Sequence, residues 1–394
     1  MTLWAIVLQW SRLGLSAAVF LVAARLLPLA EIGAFTTAFA LPRLLQCLHK
    51  AGICELRITS AAPDRPLFEL SLFAGLAAVL LCLAAVPLLP QESRPHLLAL
   101  AALPVLNGLA AVSEGRLRRA LRLRALALRT LAAQGLAAAL ALYGLTHGWG
   151  GWSLTGFALA NAALNAALSL ALAPPRPRPR GALHPLIPGA IRLTLRPLLG
   201  TATFPAVQLL IGLALGLPAA GAFQIAVRLV DLLDALALAP LRYLALPRFK
   251  ALAGSTGFAA KLRQSLWQVA GLTALIYPLA WALAPHLLPL IGAQKAEAAL
   301  ALLPPLLFTG AMSALLMPLT QALIATGQSA LPLRLAALTL ALSLALLAPV
   351  LAHPLALWAL PLASTIAGLH FLREARVASH VFEGDLTQMP GQKP

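Results

Sequence analysis

Two stretches of this sequence repeat one another and decide the fold: Leu27-Pro28-Leu29-Ala30-Glu31-Ile32-Gly33-Ala34-Phe35 and Leu215-Gly216-Leu217-Pro218-Ala219-Ala220-Gly221-Ala222-Phe223. Both contain Gly-Ala-Phe, at an offset of 188 residues from Gly33 to Gly221, and both introduce a long apolar segment. Ala and Leu dominate the composition and match by chance, so the shared Gly-Ala-Phe carries the comparison. The repeat predicts that the chain holds two copies of one unit.

The composition around these stretches is that of a membrane protein. Of the 394 residues, 60% are hydrophobic and 10% are charged, whereas soluble globular proteins carry roughly 25% charged residues. The charges comprise 29 Lys+Arg against 12 Asp+Glu, and the basic residues lie between apolar segments, as the positive-inside rule places them. These proportions exclude a soluble enzyme and a nucleic-acid-binding domain, and no nucleic-acid partner is expected.

Apolar segments long enough to cross a bilayer follow one another along the chain. A spanning helix needs roughly 20 mostly apolar residues, and Pro, Gly or charged residues mark its ends. The chain is therefore predicted to be an all-α polytopic membrane protein with about 12 transmembrane helices, at residues 3–27, 32–57, 68–90, 96–115, 121–146, 151–173, 186–215, 219–244, 264–290, 296–326, 331–352 and 355–373.

A run rich in Pro and Arg divides these crossings into two sets of six. The segment Pro174-Pro175-Arg176-Pro177-Arg178-Pro179-Arg180-Gly181 alternates Pro with charge, which favours an extended, semi-rigid spacer. The predicted organisation is an N-terminal six-helix half (1–173), a cytoplasmic linker (174–185), a C-terminal six-helix half (186–374) and a short cytoplasmic tail (375–394). A parallel repeat of six helices is typical of transporters that hold their substrate between the halves.

The basic residues predict the orientation of the crossings. Twenty-one of them lie in even-numbered connectors, just beyond them or in the C-terminal tail, whereas three, Arg25, Arg94 and Lys295, lie in odd-numbered connectors. Because Lys and Arg are enriched on the cytoplasmic side of a membrane, both termini are expected in the cytoplasm.

Several short motifs flank or lie within the apolar segments. They are Ala24–Pro28, Glu31–Phe35, Gly52, Gly221–Leu229, Leu246–Phe249 and Ile291-Gly292 followed by Ala296. These motifs resemble those of a known family, the Wzx-type O-antigen and polysaccharide flippases, which belong to the multidrug/oligosaccharidyl-lipid/polysaccharide (MOP) exporter superfamily. The resemblance implies a fold like that of the MATE and other MOP transporters, and a cargo linked to a polyprenyl diphosphate.

The second helix has the most regular polar pattern. Thr36, Arg43, Lys50 and Arg57 recur every seven residues, and seven residues make almost two helical turns, so they are expected to form one stripe that Gln46 widens. An ionisable side chain at the bilayer centre costs about 2.5–3.5 kcal/mol. The stripe is either a cationic wall for an anionic substrate, or Lys50 and Arg57 reach the cytoplasmic headgroups and Arg43 alone faces the interior.

The eighth helix carries a second polar group. Gln224, Arg228 and Asp231 fall together, and Asp234 follows one turn later. Arg228 and Asp231 are spaced to form an ion pair, which would have a structural role. Asp234 is predicted either to bind a coupling cation or proton, or to pair with an arginine on another helix.

Two further helices carry candidate anion-binding residues. Gln9 and Arg12 share a face of the first helix, where Arg12 is either an interior charge or a cytoplasmic anchor. Arg192, at the start of the seventh helix, is placed to receive a phosphate group, because Arg offers a planar fork to phosphate oxygens. It is otherwise a simple positive-inside residue.

The remaining interior polar residues are assigned structural roles. Arg129 is predicted to anchor the end of the fifth helix, and Asn161 with Asn165 is predicted to join helices. The sequence has no nucleophile motif, no carboxylate pair near a histidine and no G-x-x-x-x-G-K-[ST] run. It therefore predicts a protein that is not an enzyme and has no cofactor or structural metal, with Na⁺ or H⁺ as candidate coupling ions.

Together with the resemblance, these patterns predict a flippase that moves a lipid-linked oligosaccharide, such as a polysaccharide or O-antigen repeat unit, across a bacterial cytoplasmic (inner) membrane by alternating access. The membrane potential favours outward movement of an anionic head group, with or without counterflow of Na⁺ or H⁺ through Asp231 or Asp234. Candidate partners besides the substrate and the bilayer are glycan polymerase and chain-length proteins. The residues expected to bind the head group are Arg12, Arg43, Arg192, Arg228, Gln9, Gln46 and Gln224.

Other functions stay open at this point. A multidrug or metabolite antiporter of the same superfamily would present an acidic, aromatic-lined cavity to a cationic drug. A membrane glycan polymerase or ligase would need a large outer loop, which the short outer connectors do not provide. A scaffold without transport activity is a further alternative.

Overall fold

The computed structural model describes residues 2–59, 63–120, 122–175, 186–234, 257–328, 330–351 and 355–386, together with residues 238, 241, 245, 248–250, 252 and 353. Within these ranges the chain is helical apart from short connectors. The fourteen α-helices of this part of the chain are α1 (Thr2–Leu26), α2 (Leu29–Cys47), α3 (Cys54–Thr59), α4 (Asp64–Ala85), α5 (Arg94–Leu100), α6 (Leu103–Arg119), α7 (Leu123–Thr146), α8 (Trp152–Leu172), α9 (Ile187–Ala214), α10 (Leu217–Leu233), α11 (Gly257–Leu287), α12 (Ala293–Ala325), α13 (Ala330–Leu347) and α14 (Ala359–Leu386).

The helices confirm the prediction of an all-α, multi-pass membrane protein. By length and composition, eight of the described helical segments could each cross a membrane. Large apolar side chains stay exposed on their surfaces, among them Leu80 on α4 and Trp267 on α11. Such surfaces are costly in water and favourable in lipid. The fourth predicted crossing consists of two consecutive helices, α5 and α6, and the last helix continues beyond its predicted crossing to Leu386.

Contacts divide the chain into two compact units. The first unit comprises residues 1–232 and 283–303, and the second comprises 233–282 and 304–394. In the first unit α7 packs against α1 and α8, α4 against α6, and α2 against α9. In the second unit α13 packs against α14, where the Arg334 guanidinium lies 3.6 Å from the Glu374 carboxylate. The boundaries of the two six-helix halves stay a prediction.

The repeated stretches contact each other in the first unit. A Cβ added at Gly33 would lie 2.7 Å from the carbonyl carbon of Leu217 and closer still to its oxygen, and one added at Gly221 would lie 2.9 Å from the carbonyl carbon of Leu29. Leu29 and Leu217 are themselves related by the 188-residue offset. Matching positions therefore contact each other reciprocally, as in an isologous interface, and the contact requires a residue without a side chain at both glycines.

A π-helical turn, Leu48–Ile53, joins α2 to α3 and ends the seven-residue stripe. Because its hydrogen bonds run from i to i+5, residues after the turn are rotated relative to those before it. Thr36 binds Gln208 of α9, and Arg43 faces Asp231 of α10, whereas Arg57 pairs with Asp64 of α4. The prediction of one continuous stripe is therefore wrong beyond the turn, and the side chain of Lys50 lies outside the described part of the structure.

A glutamate of the first repeat fixes the start of α8. The Gly151 N–H donates a hydrogen bond of 2.8 Å to Oε2 of Glu31. A carboxylate is favourable at this position because the first N–H groups of a helix have no partner within it. Next to it, the imidazole Nδ1 of His96 lies 2.8 Å from Oγ1 of Thr155 in the first turns of α8.

A lysine binds the C-terminal end of α1. The Nζ of Lys295 donates hydrogen bonds of 2.8, 3.1 and 2.7 Å to the carbonyl oxygens of Ala24, Arg25 and Leu27. The last carbonyl groups of a helix accept no hydrogen bond from the helix itself, so the lysine supplies the missing donor. A cation at this end also interacts favourably with the helix dipole.

We expect Lys295→Met to lower the free energy of unfolding by about 1.5–3 kcal/mol, the range for hydrogen bonds that involve a charged group. Unfolding in detergent, followed by tryptophan fluorescence, measures this difference. Lys261→Met is the matched control, because Nζ of Lys261 donates a hydrogen bond to the Gln264 side chain at an exposed site. Equal unfolding midpoints for the two variants would contradict the assigned role of Lys295.

Candidate functional site

The first unit encloses a cavity of about 280 Å³, here called the polar cavity. Its wall comes from α1, α2, the π-turn, α3, α6, α7, α8 and α10. Polar groups buried in a membrane protein usually face a cavity or a partner, because lipid cannot satisfy them. The polar residues that line it are Ser16, Gln46, His49, Asn107, Glu114, Arg129, Thr130, Gln134, Asn161, Asn165 and Arg228.

An ion pair between α6 and α7 forms part of this wall. The Arg129 side chain is 1% exposed and the Glu114 side chain 13%, and Nη2 of Arg129 lies 3.3 Å from Oε2 of Glu114. Nη1 of Arg129 donates to Oγ of Ser169 at 2.6 Å, and Arg118 pairs with the other oxygen of Glu114. The prediction that Arg129 anchors the end of a helix is therefore wrong: the side chain turns inward, where Glu114 stabilises its charge.

The two asparagines of α8 also line the polar cavity. Nδ2 of Asn165 donates to the carbonyl oxygen of Asn161 at 2.8 Å and lies 2.9 Å from its side-chain oxygen. These bonds stay within one helix, and both amides line the cavity wall instead of joining helices.

A second cavity of about 240 Å³, here called the side cavity, adjoins the polar cavity. Ser16, Phe20 and Arg228 line both. The Arg228 guanidinium carbon lies 5.3 Å from the centroid of the Phe20 ring, a cation–π contact. Asp231 lines the side cavity, and its carboxylate lies 3.8 Å from the guanidinium of Arg43.

The structure brings several predicted site residues together. Gln46 and Arg228 line the polar cavity, and Arg43 and Asp231 meet beside it. The charge that faces Arg43 is thus Asp231, one turn before Asp234.

Other predicted residues lie apart from the cavities. Gln224 is buried in α10 and is absent from the described lining of both cavities. Asp234 belongs to the second unit, where the Tyr277 hydroxyl donates a hydrogen bond of 2.9 Å to its Oδ1. The side chains of Gln9, Arg12 and Arg192 lie outside the part that the structure describes.

Sequence reasoning missed the contribution of α6 and α7. Asn107, Glu114 and Gln134 line the polar cavity without a heptad pattern that marks them. A signal does exist on α7, where Thr130 and Gln134 lie among the small buried residues Ala127, Ala133, Ala137, Ala138 and Ala141. Small residues at helical spacing indicate a face packed against other helices, so polar residues on that face point into the protein.

The charges of the polar cavity favour an anion. Arg129 and Arg228 line it against one carboxylate, Glu114, which also faces Arg118. Beside it, Asp231 balances Arg43. Among the described residues no group of three His, Cys, Asp or Glu side chains could hold a metal ion.

Comparisons with known proteins support this architecture. Residues 22–293 match the family model described as "Polysaccharide biosynthesis protein". No curated protein sequence matches the chain.

Solved structures share the fold. The lipid II flippase MurJ in an inward closed conformation superposes with a TM-score of 0.78 at 13% identity, covering 95% of this chain and 88% of that one. A multidrug resistance MATE family transporter of the MOP superfamily, in an inward-facing conformation, gives 0.74 at 15% identity, covering 95% and 96%. A MOP superfamily transporter from Pyrococcus furiosus, described as having a binding pocket of reverse polarity, gives a TM-score of 0.57 at 15% identity, covering 96% of this chain and 91% of that one.

Proposed function

The chain belongs to the polysaccharide biosynthesis protein family, with the fold of the MOP-superfamily transporters and not of an enzyme, and from this membership we propose that it is a flippase for a lipid-linked oligosaccharide. It would carry the glycan head group of this lipid from the inner to the outer leaflet of a bacterial cytoplasmic membrane. The family match and the fold agree with the membership in polysaccharide biosynthesis and the MOP-like architecture that the sequence motifs predicted.

The polar cavity is the observation that carries this proposal. A head group of sugars and phosphates cannot cross hydrocarbon unaided, because its hydrogen bonds and charges would be stripped of water. Within an apolar bundle, the cavity offers amides at Gln46, Asn107, Gln134, Asn161 and Asn165. Amides both donate and accept hydrogen bonds, which suits sugar hydroxyls.

The arginines beside the amides supply the contacts for phosphate. Arg228 lies at the junction of the polar and side cavities, and Arg43 lies near it across Asp231. A guanidinium offers two parallel N–H groups to a phosphate. A diphosphate entering there would compete with Asp231 for Arg43, so binding would exchange an internal ion pair for one with the substrate.

The direction of transport follows from the charge of the head group. An inside-negative potential favours outward movement of negative charge by about 2.3 kcal/mol per elementary charge per 100 mV. Counterflow of Na⁺ or H⁺ through Asp231 or Asp234 would add to this driving force. The two halves would alternate access by rocking, with both termini in the cytoplasm and glycan polymerase or chain-length proteins as partners.

Reconstituted vesicles with a labelled polyprenyl-diphosphate-linked glycan test this function. We expect Arg228→Gln and Arg43→Gln each to slow the appearance of label in the outer leaflet about 10-fold to 100-fold. This range corresponds to the loss of one hydrogen bond with a charged group, about 1.5–3 kcal/mol. The control is Arg65→Gln, because Arg65 pairs with Glu69 at a partly exposed site away from both cavities. Wild-type rates in both cavity variants would refute the proposal.

One observation favours a second candidate, an antiporter for cationic drugs. Phe20, Phe35, Phe39 and Phe157 line the polar cavity, and the rings of Phe35 and Phe39 stack with centroids 5.4 Å apart. Aromatic faces attract cations, although Arg228 already occupies the Phe20 ring. Export of a cationic dye that depends on a proton or sodium gradient, without movement of the labelled lipid, would establish this alternative.

A further inference from the structure

A third cavity of the first unit, of about 320 Å³, lies at the ends of three helices. It is lined by Arg57 in the last turn of α3, by the end of α6 and the turn after it, and by the end of α8. We call it the arginine pocket. Its described lining is Arg57, Arg116, Leu117, Arg119, Ala120, Arg122, Leu172, Ala173 and Pro174.

A buried carboxylate organises the arginines of this pocket. The side chain of Asp64 is 3% exposed, and its two oxygens lie 2.7 Å from Nε of Arg57 and 3.6 Å from Nε of Arg116. Arg116 also donates from Nη1 to the carbonyl oxygen of Pro174 at the end of α8. The carboxylate thus positions two guanidinium groups from different helices through their Nε atoms. Each guanidinium has further N–H groups that can donate to a ligand.

The four arginines of the lining outnumber the negative charges that Asp64 and the helix ends place beside them. Each of the three helix C-termini that meet there carries roughly −0.5 elementary charge. Asp64 adds one full negative charge against the four arginines of the lining. The helix ends and Asp64 together offset less than three of these four charges. A concave site with net positive charge and guanidinium donors is suited to a phosphate group.

We propose that the arginine pocket binds a phosphate-bearing headgroup at the membrane surface, at a site separate from the polar cavity. The positive-inside rule predicts that this surface is cytoplasmic, because all three helices end on the side where basic residues are concentrated. The phosphate belongs either to an anionic phospholipid of the inner leaflet or to the diphosphate of a lipid-linked substrate before it enters the transporter. The binding step does not depend on the proposed transport activity.

The test uses the full-length protein in detergent, with unfolding followed by tryptophan fluorescence. A ligand that binds the folded state raises the unfolding midpoint with its concentration. The three probes are pyrophosphate, short-chain phosphatidylglycerol and, as a neutral control, short-chain phosphatidylcholine. The variant is Arg119→Gln/Arg122→Gln, which lowers the charge of the pocket and leaves the Arg57–Asp64–Arg116 cluster intact. The matched control, Arg65→Gln/Arg263→Gln, removes the same charge from a partly exposed and an exposed position outside the pocket.

We expect pyrophosphate, phosphatidylglycerol or both to stabilise the wild-type protein and the control variant. The apparent Kd should rise at least about tenfold in the pocket variant, the effect of losing one charged hydrogen bond. A response to phosphatidylglycerol alone identifies a phospholipid site, and a response to pyrophosphate alone identifies a diphosphate site. Equal affinities in the pocket and control variants, or stabilisation by none of the probes, would overturn the proposal. Because the readout is binding, a flippase assay that fails does not affect it.

Discussion

Replacing Gly33 by alanine is expected to destabilise the first unit by more than about 3 kcal/mol, the upper end of the usual cost of overpacking. The added Cβ would overlap the carbonyl group of Leu217, and this group belongs to the backbone, which cannot rotate away as a side chain could. Gly221→Ala would overlap the carbonyl group of Leu29 in the same way. Globular proteins have a total stability of about 5–15 kcal/mol, so we expect the double variant to yield little folded protein.

Gly135→Ala is the matched control for these glycine variants. Gly135 lies inside α7, and an added Cβ would meet nothing within 4 Å. Alanine is a better helix former than glycine by up to about 1 kcal/mol, so this variant should be as stable as the wild type or slightly more. Size-exclusion profiles and unfolding midpoints measure all variants. A Gly33→Ala protein as stable as Gly135→Ala would show that the repeats do not contact each other as described.

The second large effect is expected at the ion pair of the polar cavity. Glu114→Leu leaves the 1% exposed guanidinium of Arg129 without its carboxylate. Breaking a buried ion pair by removing one partner costs about 3–5 kcal/mol. We therefore expect a marked loss of stability in denaturant unfolding, because the hydrogen bond from Arg129 to Ser169 does not neutralise the buried charge.

A second substitution should reverse much of this loss. Replacing a whole buried pair by apolar residues is often neutral or stabilising, so Glu114→Leu/Arg129→Met should recover most of the stability. Arg118 would lose its partner as well, but its side chain is 37% exposed and can reach solvent. The control Glu69→Leu breaks a partly exposed pair with Arg65, and ion pairs near the surface contribute about 1 kcal/mol or less. A double variant no more stable than Glu114→Leu would contradict this account.

The crossings were predictable because the thickness of the bilayer requires a run of about 20 mostly apolar residues for each. Segment length and hydrophobicity predict helical crossings, and eight of the described helical segments are long and apolar enough to cross a membrane. The match of Gly33 with Gly221 identifies two positions that prove to be in reciprocal contact with the other stretch. The π-turn at Leu48–Ile53 was not predictable in this way, since its sequence is compatible with an ordinary α-helix. Its effect was to separate Arg57 from the face that Arg43 occupies.

Only the part of the candidate site that is visible within single apolar segments was predictable. Charges on α2 and α10 stood out because an isolated charge in an apolar segment is expensive. The sequence wrongly predicts Arg129 to be an anchor because the residue lies near the start of its helix. The residue that stabilises its buried charge, Glu114, belongs to another helix. Pairing between helices depends on tertiary packing, which the spacing of residues within one segment does not report.

The hydrogen bond between Glu31 and Gly151 marks a difference between the two repeated stretches. At the position that corresponds to Glu31, the second stretch has Ala219, which has no carboxylate to accept such a bond. At Gly33 and Gly221, by contrast, each stretch supplies the space that the backbone of the other needs. A residue that contacts another part of the chain can change without regard to the matching residue, whereas residues that contact the other stretch constrain each other. We therefore expect sequence identity between the two stretches to be retained where they touch and to be lost elsewhere.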